Sequence, residues 1–271
     1  MRVPLSAVPR VRLDSLLAER GLFDSRTRAA ASVMAGEVRL GGNGLRAQKP
    51  GQMVEPDVVV AVDEMPRFVS RGGIKLANAL ERFAIDVRGR HALDVGASTG
   101  GFTDCLLQAG AEHVIALDVA YGELDWRLRN DERVTVLERT NARSITPAEL
   151  PYAPDFVVID VSFIALAKVL PAVLATTAPA FDVLGMVKPQ FEVGRGNVGK
   201  GGVVRDPAQR RAALVAAARA GHELGAAVLG FASSGLPGPK GNQESFVWLA
   251  EAGRPGDASN DLDAAAREVE P

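Results

Sequence analysis

From residue 71 onward, apolar runs of strand length alternate with stretches whose apolar residues recur at helical spacing. The runs cover residues 92–95, 114–117, 134–137, 156–159, 182–187, 226–230 and 245–249, and helical segments separate most of them. That order predicts a mainly parallel, doubly wound α/β sheet. Ligands bind such a sheet at the C-terminal ends of its strands, so the residue closing each run carries the chemistry. Asp118, Asp160 and Lys188 close three of them, and Glu244 stands just before the last. Ahead of the first run, residues 71–83 read as a helix with Leu76, Leu80 and Phe83 on its apolar side.

Residues 1–62 follow a different pattern. Leu13, Leu16 and Leu17 recur at helical spacing, Gly21 closes that helix, and Ser25 is placed to cap a second one carrying Arg26 and Arg28. Val38-Arg39-Leu40, a Gly41-Gly42-Asn43-Gly44 turn, Lys49-Pro50-Gly51 and a run over 58–62 complete a small sheet. Pro66 interrupts residues 63–70, which read as a linker whose Phe68 and Val69 can pack on either side. The larger domain then spans 71–251, and the acidic, alanine-rich residues 252–271 read as a mobile tail or a frayed helix.

Composition changes this picture in three places. The net charge of -2 hides an asymmetry, because residues 1–50 hold nine Arg or Lys against four Asp or Glu while residues 251–271 hold two against six. The basic end is the one suited to a polyanion. Cys105 is the only cysteine, so no intramolecular disulfide forms and a reducing cytoplasm is expected. No targeting signal is visible, and the charge-free candidate for a membrane span, 169–181, is short and broken by Pro171 and Pro179. His91, His113 and His222 are scattered, so no metal site is expected.

Candidate chemistry concentrates between His91 and Cys105. The small residues from Gly96 to Gly101 let the chain turn sharply from strand to helix and bring backbone N–H groups close to a ligand. A dinucleotide loop wants glycine where Ser98 stands, and Asp94 would repel a pyrophosphate. A cationic, phosphate-free ligand such as S-adenosylmethionine suits the loop better. Asp118, 22 residues after Gly96, suits a ribose diol, and Asn141 lies where a loop can reach an adenine. The candidate cofactor residues are therefore Asp94, Gly96, Ser98, Thr99, Gly100, Gly101, Phe102, Asp118, Asn141 and Asp160. Residues 194–201 come within one position of a P-loop, but Gly201 replaces the hydroxyl that would hold magnesium, which leaves a substrate-side loop.

Seven segments carry a wider resemblance: Ser70-Arg71-Gly72-Gly73-Ile74-Lys75-Leu76, Asp94 through Thr103, Asp118-Val119-Ala120-Tyr121-Gly122, Arg139-Thr140-Asn141-Ala142-Arg143, Asp160-Val161-Ser162-Phe163-Ile164, Val187-Lys188-Pro189-Gln190-Phe191-Glu192 and Gly241-Asn242-Gln243-Glu244. Together they resemble the TlyA (hemolysin A-like) family over nearly the whole chain, and residues 10–62 resemble the RNA-binding domain named after small-subunit ribosomal protein S-four. Arg67-Phe68-Val69 departs from the Arg-x-Trp-Val form of actinobacterial relatives.

The resemblance implies a Rossmann-like class I methyltransferase sheet of FtsJ type, its last strand antiparallel, behind a small N-terminal α+β RNA-binding domain. It further implies S-adenosylmethionine as cofactor, ribosomal RNA as partner, and cytidine ribose 2′-hydroxyls of 16S or 23S RNA as substrate, with no metal and no membrane. A Lys-Asp-Lys-Glu tetrad falls on Lys75, Asp160, Lys188 and Glu244. Lys188 is the expected base, its neutral form favoured by clustering beside Lys75, with Asp160 and Glu244 holding and orienting the amines. Arg12, Arg26, Arg28, Lys49 and Arg71 are the expected RNA contacts. Two other readings remain: a membrane-active cytolysin, and an rRNA-binding assembly factor with an inactive methyltransferase fold.

Overall fold

The structure, a computed structural model, describes residues 9–42, 44–62, 67–194, 196 and 198–270. Residues 63–66 of the expected linker, Asn43 of the expected turn, and Arg195 and Asn197 of the glycine-rich loop lie outside the described residues. Internal contacts divide the chain into Met1–Pro66 and Arg67–Pro271.

The first unit runs β1 (Val11–Arg12), α1 (Leu13–Glu19), α2 (Arg26–Ala35), β2 (Val38–Leu40), β3 (Leu45–Arg46), β4 (Met53–Val54) and β5 (Val60–Val62). The Ser25 hydroxyl accepts the Arg28 N–H at 3.2 Å and so starts α2. Leu13, Leu16 and Leu17 of α1 bury against Ala29 and Val33 of α2 and against Val38 and Val54. The strands form the sheets β3-β2-β5 and β1-β4. Two-residue β1 has no readable pattern in the sequence, because its partner Met53–Val54 lies far along the chain.

The second unit runs α3 (Arg71–Phe83), β6 (His91–Val95), α4 (Gly101–Gln108), β7 (His113–Leu117), α5 (Trp126–Arg129), β8 (Val134–Leu137), β9 (Phe156–Ile159), α6 (Leu170–Leu174), β10 (Asp182–Val187), α7 (Pro189–Glu192), α8 (Pro207–Glu223), β11 (Ala227–Ser233), β12 (Ser245–Ala250) and α9 (Leu262–Val269). Seven strands form one sheet in the order β11-β12-β10-β9-β6-β7-β8. Its strands are parallel from β10 to β8, and β12 runs antiparallel between β10 and β11. The doubly wound sheet expected from the hydrophobic pattern is present.

Side-chain alternation gives this sheet two cores. Leu93, Val95, Ile115, Val157 and Ile159 face the layer that includes Val173 of α6 and Leu214 of α8. Ala92, Val114, Phe156 and Val158 face the layer that includes Leu76 of α3 and Leu106 of α4. Asp94 shares the parity of Ala92, so β6 directs it toward α4. The strand reversal does equal service at the other end, because pairing of Val187 with Ser245 brings the start of β12 to the end of β10.

Two expectations change. Phe68 is buried in the core shared by α3 and α4, and the Val69 N–H donates to Asp104 at 2.8 Å, so this half of the expected linker is built into the second unit. The acidic end carries α9, which buries Leu262 and Ala266 in the α8 core, and its Glu270 accepts from the Arg210 guanidinium at 2.8 Å. Alternation of acidic and apolar residues there is an amphipathic face and not a tail.

At the opposite edge from the loops, buried Asp182 accepts from the Trp248 indole at 2.9 Å and pairs with Arg90 at 3.1 Å and Arg254 at 3.2 Å. Asp182→Ala leaves the Trp248 indole without its acceptor, while Arg90 keeps Asp155 and Arg254 keeps Glu251 as carboxylate partners. The expected loss is about 2 kcal/mol in chemical denaturation, with the site geometry intact.

Candidate active site

The loop from β6 to α4 is held by contacts that leave no room for larger residues. Gly96 takes φ +86, and a Cβ there would lie 2.6 Å from the Asp160 carbonyl oxygen. Gly101 opens α4 so close to α3 that a Cβ would collide with the Ser70 hydroxyl. The start of α3, which carries Lys75, is thereby pressed onto the sheet edge. Phe102 turns inward, 3% exposed, with its ring 5.9 Å from Phe246. It supports the loop mainly as a core residue.

Asp94 is wholly buried. One oxygen accepts the Thr103 N–H at 2.9 Å and its hydroxyl at 2.7 Å, which caps the first turn of α4, while Oδ1 has no partner. Burial pushes its carboxyl up from 3.8 to about 7; the Thr103 bonds oppose this, and the charges of Asp160 and Asp118 add to it. Asp118 accepts the Ser98 N–H at 2.7 Å and the Ala120 N–H at 2.8 Å, so it fixes the loop's outer side. Ser98 also donates to Glu123 at 3.1 Å, and the Thr99 carbonyl accepts the Asp125 N–H at 3.2 Å. Gly100 lies under Leu124 and Leu128.

Lys75, Asp160, Lys188 and Glu244 all line one cavity of about 650 Å³, together with Asp94 and Gly96. They form two ion pairs, Lys75 with Glu244 and Lys188 with Asp160. Lys188 also donates to the Ser162 hydroxyl at 3.1 Å. Each amine therefore rests on a carboxylate. The reason is topological: β9 and β10 are neighbours, which sets Lys188 beside Asp160, and β12 brings Glu244 in from the far side under α3.

Other expected residues divide. Ser98, Thr99, Gly101 and Arg71 line the same cavity, and Arg71 donates to the Pro237 carbonyl at 2.8 Å. Asp118 instead lines a small neighbouring pocket with Glu123 and Glu138. Asn141 is exposed, and its Oδ1 accepts the Arg143 N–H at 3.0 Å; it serves a local turn and joins neither pocket. In the first unit, Arg12 and Arg26 are exposed at their tips and both pair with buried Asp14, holding its carboxyl down at about 2, chiefly through the Arg12 bond. The Arg28 N–H is spent on the α2 cap, and Lys49 is exposed. Ser162, Gln190 and Phe163 also line the cavity, and the Gln190 Oε1 is buried without a partner. The first two had no signal beyond their place in the quoted segments.

Comparison with known proteins bears on this geometry. Residues 68–251 match the FtsJ-like methyltransferase model and residues 11–60 match the S4 domain. A Mycobacterium tuberculosis protein named 16S/23S rRNA (cytidine-2'-O)-methyltransferase TlyA is 52% identical over 89% of this chain and 90% of its own. The chain belongs to the TlyA family of FtsJ-like methyltransferases. Another TlyA-family relative, named Hemolysin A, from Brachyspira hyodysenteriae, is 37% identical over 86% of this chain and 97% of its own. A solved structure from Streptococcus thermophilus, named as a hemolysin, superposes with a TM-score of 0.72 at 38% identity, covering 97% of this chain and 96% of that one. Among the described residues no helix is long and apolar enough to cross a membrane, and no group of three or more His, Cys, Asp or Glu is placed to hold a metal.

The buried carboxyl of Asp94 has a measurable signature in this TlyA-family fold. Its proton is retained in the folded state and lost from the unfolded chain between pH 3.8 and about 7, so its contribution to stability declines as pH rises through that window. Asp94→Asn keeps an acceptor for Thr103 and cannot ionise. Urea denaturation should show wild type losing ground to Asp94→Asn by up to about 1.4 kcal/mol per pH unit across the window. A difference that stays flat with pH would mean that the carboxyl titrates in its ordinary range.

Proposed function

We propose that the protein transfers a methyl group from S-adenosylmethionine to ribose 2′-hydroxyls of cytidines in ribosomal RNA, of one subunit or both, in the cytoplasm. The observation that carries this reading is the convergence of two lysine–carboxylate pairs on one cavity beside the β6–α4 loop. The donor set fits a cationic cofactor. Asp94 offers an unpartnered buried oxygen at the cavity wall, and the loop from Gly96 to Gly101, with Asp118 beside it, offers no phosphate cradle. Asp94, Gly96, Ser98, Thr99, Gly101 and Asp118 would hold the cofactor, which supplies an activated methyl group.

The chain's own task is to orient a weak nucleophile and take its proton. Lys188 is assigned to accept the hydroxyl proton once it has given up its own, while Asp160 and Ser162 fix the direction of its amine. Lys75 and Glu244 are the buried second pair that shapes the wall opposite. The S4 segment supports RNA as the partner, because Arg12, Arg26 and Arg28 sit together near the start of its helices and can neutralise phosphates with no part in the chemistry. Asp14 sets a condition on two of them: a charge reversal at Arg12 or Arg26 would also strand a buried carboxylate.

Single-turnover methyl transfer to ribosomal RNA, followed at several pH values with thermal melts as a folding control, tests the assignment. Lys188→Ala should lose about 100-fold to 10,000-fold in rate while calorimetry finds cofactor affinity unchanged. Lys188→Arg should recover little, because a guanidinium keeps its proton near neutral pH. A folded Lys188→Arg enzyme with near-normal rate would make Lys188 an electrostatic clamp. In a separate measurement, Asp118→Ala should weaken cofactor binding, since it releases both the Ser98 and Ala120 N–H groups. Equal affinity in wild type and variant would remove Asp118 from the cofactor site.

A further inference from the structure

We propose that Asn242 is a positioning residue: it locks the glycine-rich segment to the turn that carries Glu244, so that one wall of the cavity and the Lys75–Glu244 pair hold a single arrangement. Asn242 is 2% exposed and carries no charge. Its Oδ1 accepts the Val204 N–H at 2.9 Å, and its Nδ2 donates to the Gly202 carbonyl at 2.8 Å. These two partners fix which end of the carboxamide is which, since an N–H needs the oxygen and a carbonyl needs the nitrogen. The Asn242 main-chain carbonyl accepts the Gly238 N–H at 2.8 Å, closing the turn from the other side. One residue thus makes bonds in both segments.

The two segments form the same part of the cavity. Val198 and Gly202 line it from one, and Gly238, Lys240 and Glu244 from the other. Glycine-rich chain has few side chains with which to pack, so its place depends on hydrogen bonds. Val204 is itself buried, so no water replaces the bond to its N–H if Asn242 is lost. Two residues along, the Glu244 carbonyl accepts the Ser234 N–H at 3.0 Å, and its carboxylate fills the space over Gly238, where a Cβ would collide with it. A turn that opens at Asn242 therefore frees the carboxylate that holds Lys75. Residue type matters for the same reason. Serine cannot span both partners, and aspartate sets a negative oxygen against the Gly202 carbonyl.

The consequence for turnover rests on the proposed methyl transfer, whereas the lock itself does not. The test uses the full chain, with hydrogen exchange measured in the absence of RNA and steady-state methylation of ribosomal RNA measured beside calorimetric binding of S-adenosylmethionine. Asn242→Ala should raise exchange in 198–205 and in 237–244 together. It should cut kcat by about 10-fold to 100-fold while cofactor affinity moves less than about twofold, because the geometry lost is on the substrate side. Asn242→Asp keeps the volume and the acceptor for Val204; it should show the same split between kcat and cofactor affinity, which covers the case of an unfolded alanine variant. Exchange that rises in one segment alone, or a folded variant of either kind with normal kcat, overturns the proposal. If wild type transfers no methyl group but the two segments still loosen together, the lock stands and the reaction assigned to the site fails.

Discussion

The site depends on the approach of Gly96 to the backbone of Asp160. With no side chain between them, the β6–α4 loop lies directly on the end of β9, and a Cβ at Gly96 would meet the Asp160 carbonyl at 2.6 Å. The β6–α4 loop and the backbone of Asp160 are consequently held as one piece. Gly101 extends this to a third element by letting α4 touch α3, which carries Lys75. Closeness of backbone to backbone, and not any single strong bond, sets the distances in the cavity.

Charge compensation then decides what can be buried there. Two of the cavity's carboxylates and two of its amines pair off, so their desolvation cost is offset pair by pair. Asp94 is the exception. It lies deeper, has no cation within its bonds, and holds its proton more tightly because of burial and the neighbouring carboxylates. An incoming positive charge would find an acidic group whose ionisation is held back, so its binding would be linked to proton release.

Much of this was legible in residue order. Runs ending in Asp118, Asp160 and Lys188 could be placed on one edge because strand parity and the right-handed crossover leave few alternatives. The quoted segments around Lys75 and Glu244 named the remaining charges. Pairing was less legible: which amine meets which carboxylate depends on the reversal of β12, and composition carries no sign of that. Asn141 was harder to read, because an Asx turn and a ligand contact want the same residue type in the same loop. Of the two readings of residues 252–271, tail or frayed helix, the helix is present, but its docking was hidden because acidic residues on its outer face masked Leu262 and Ala266 on the inner one.

The partner of Lys75 lies 169 residues further along the chain. Every strand of the large sheet intervenes between them or follows within a few residues, so the buried pair is a contact of very high sequence separation. During synthesis the β6–α4 loop and Asp118 emerge early, while Glu244 comes with the last strand. A nascent chain can thus shape the β6–α4 loop long before the partner of Lys75 has been made.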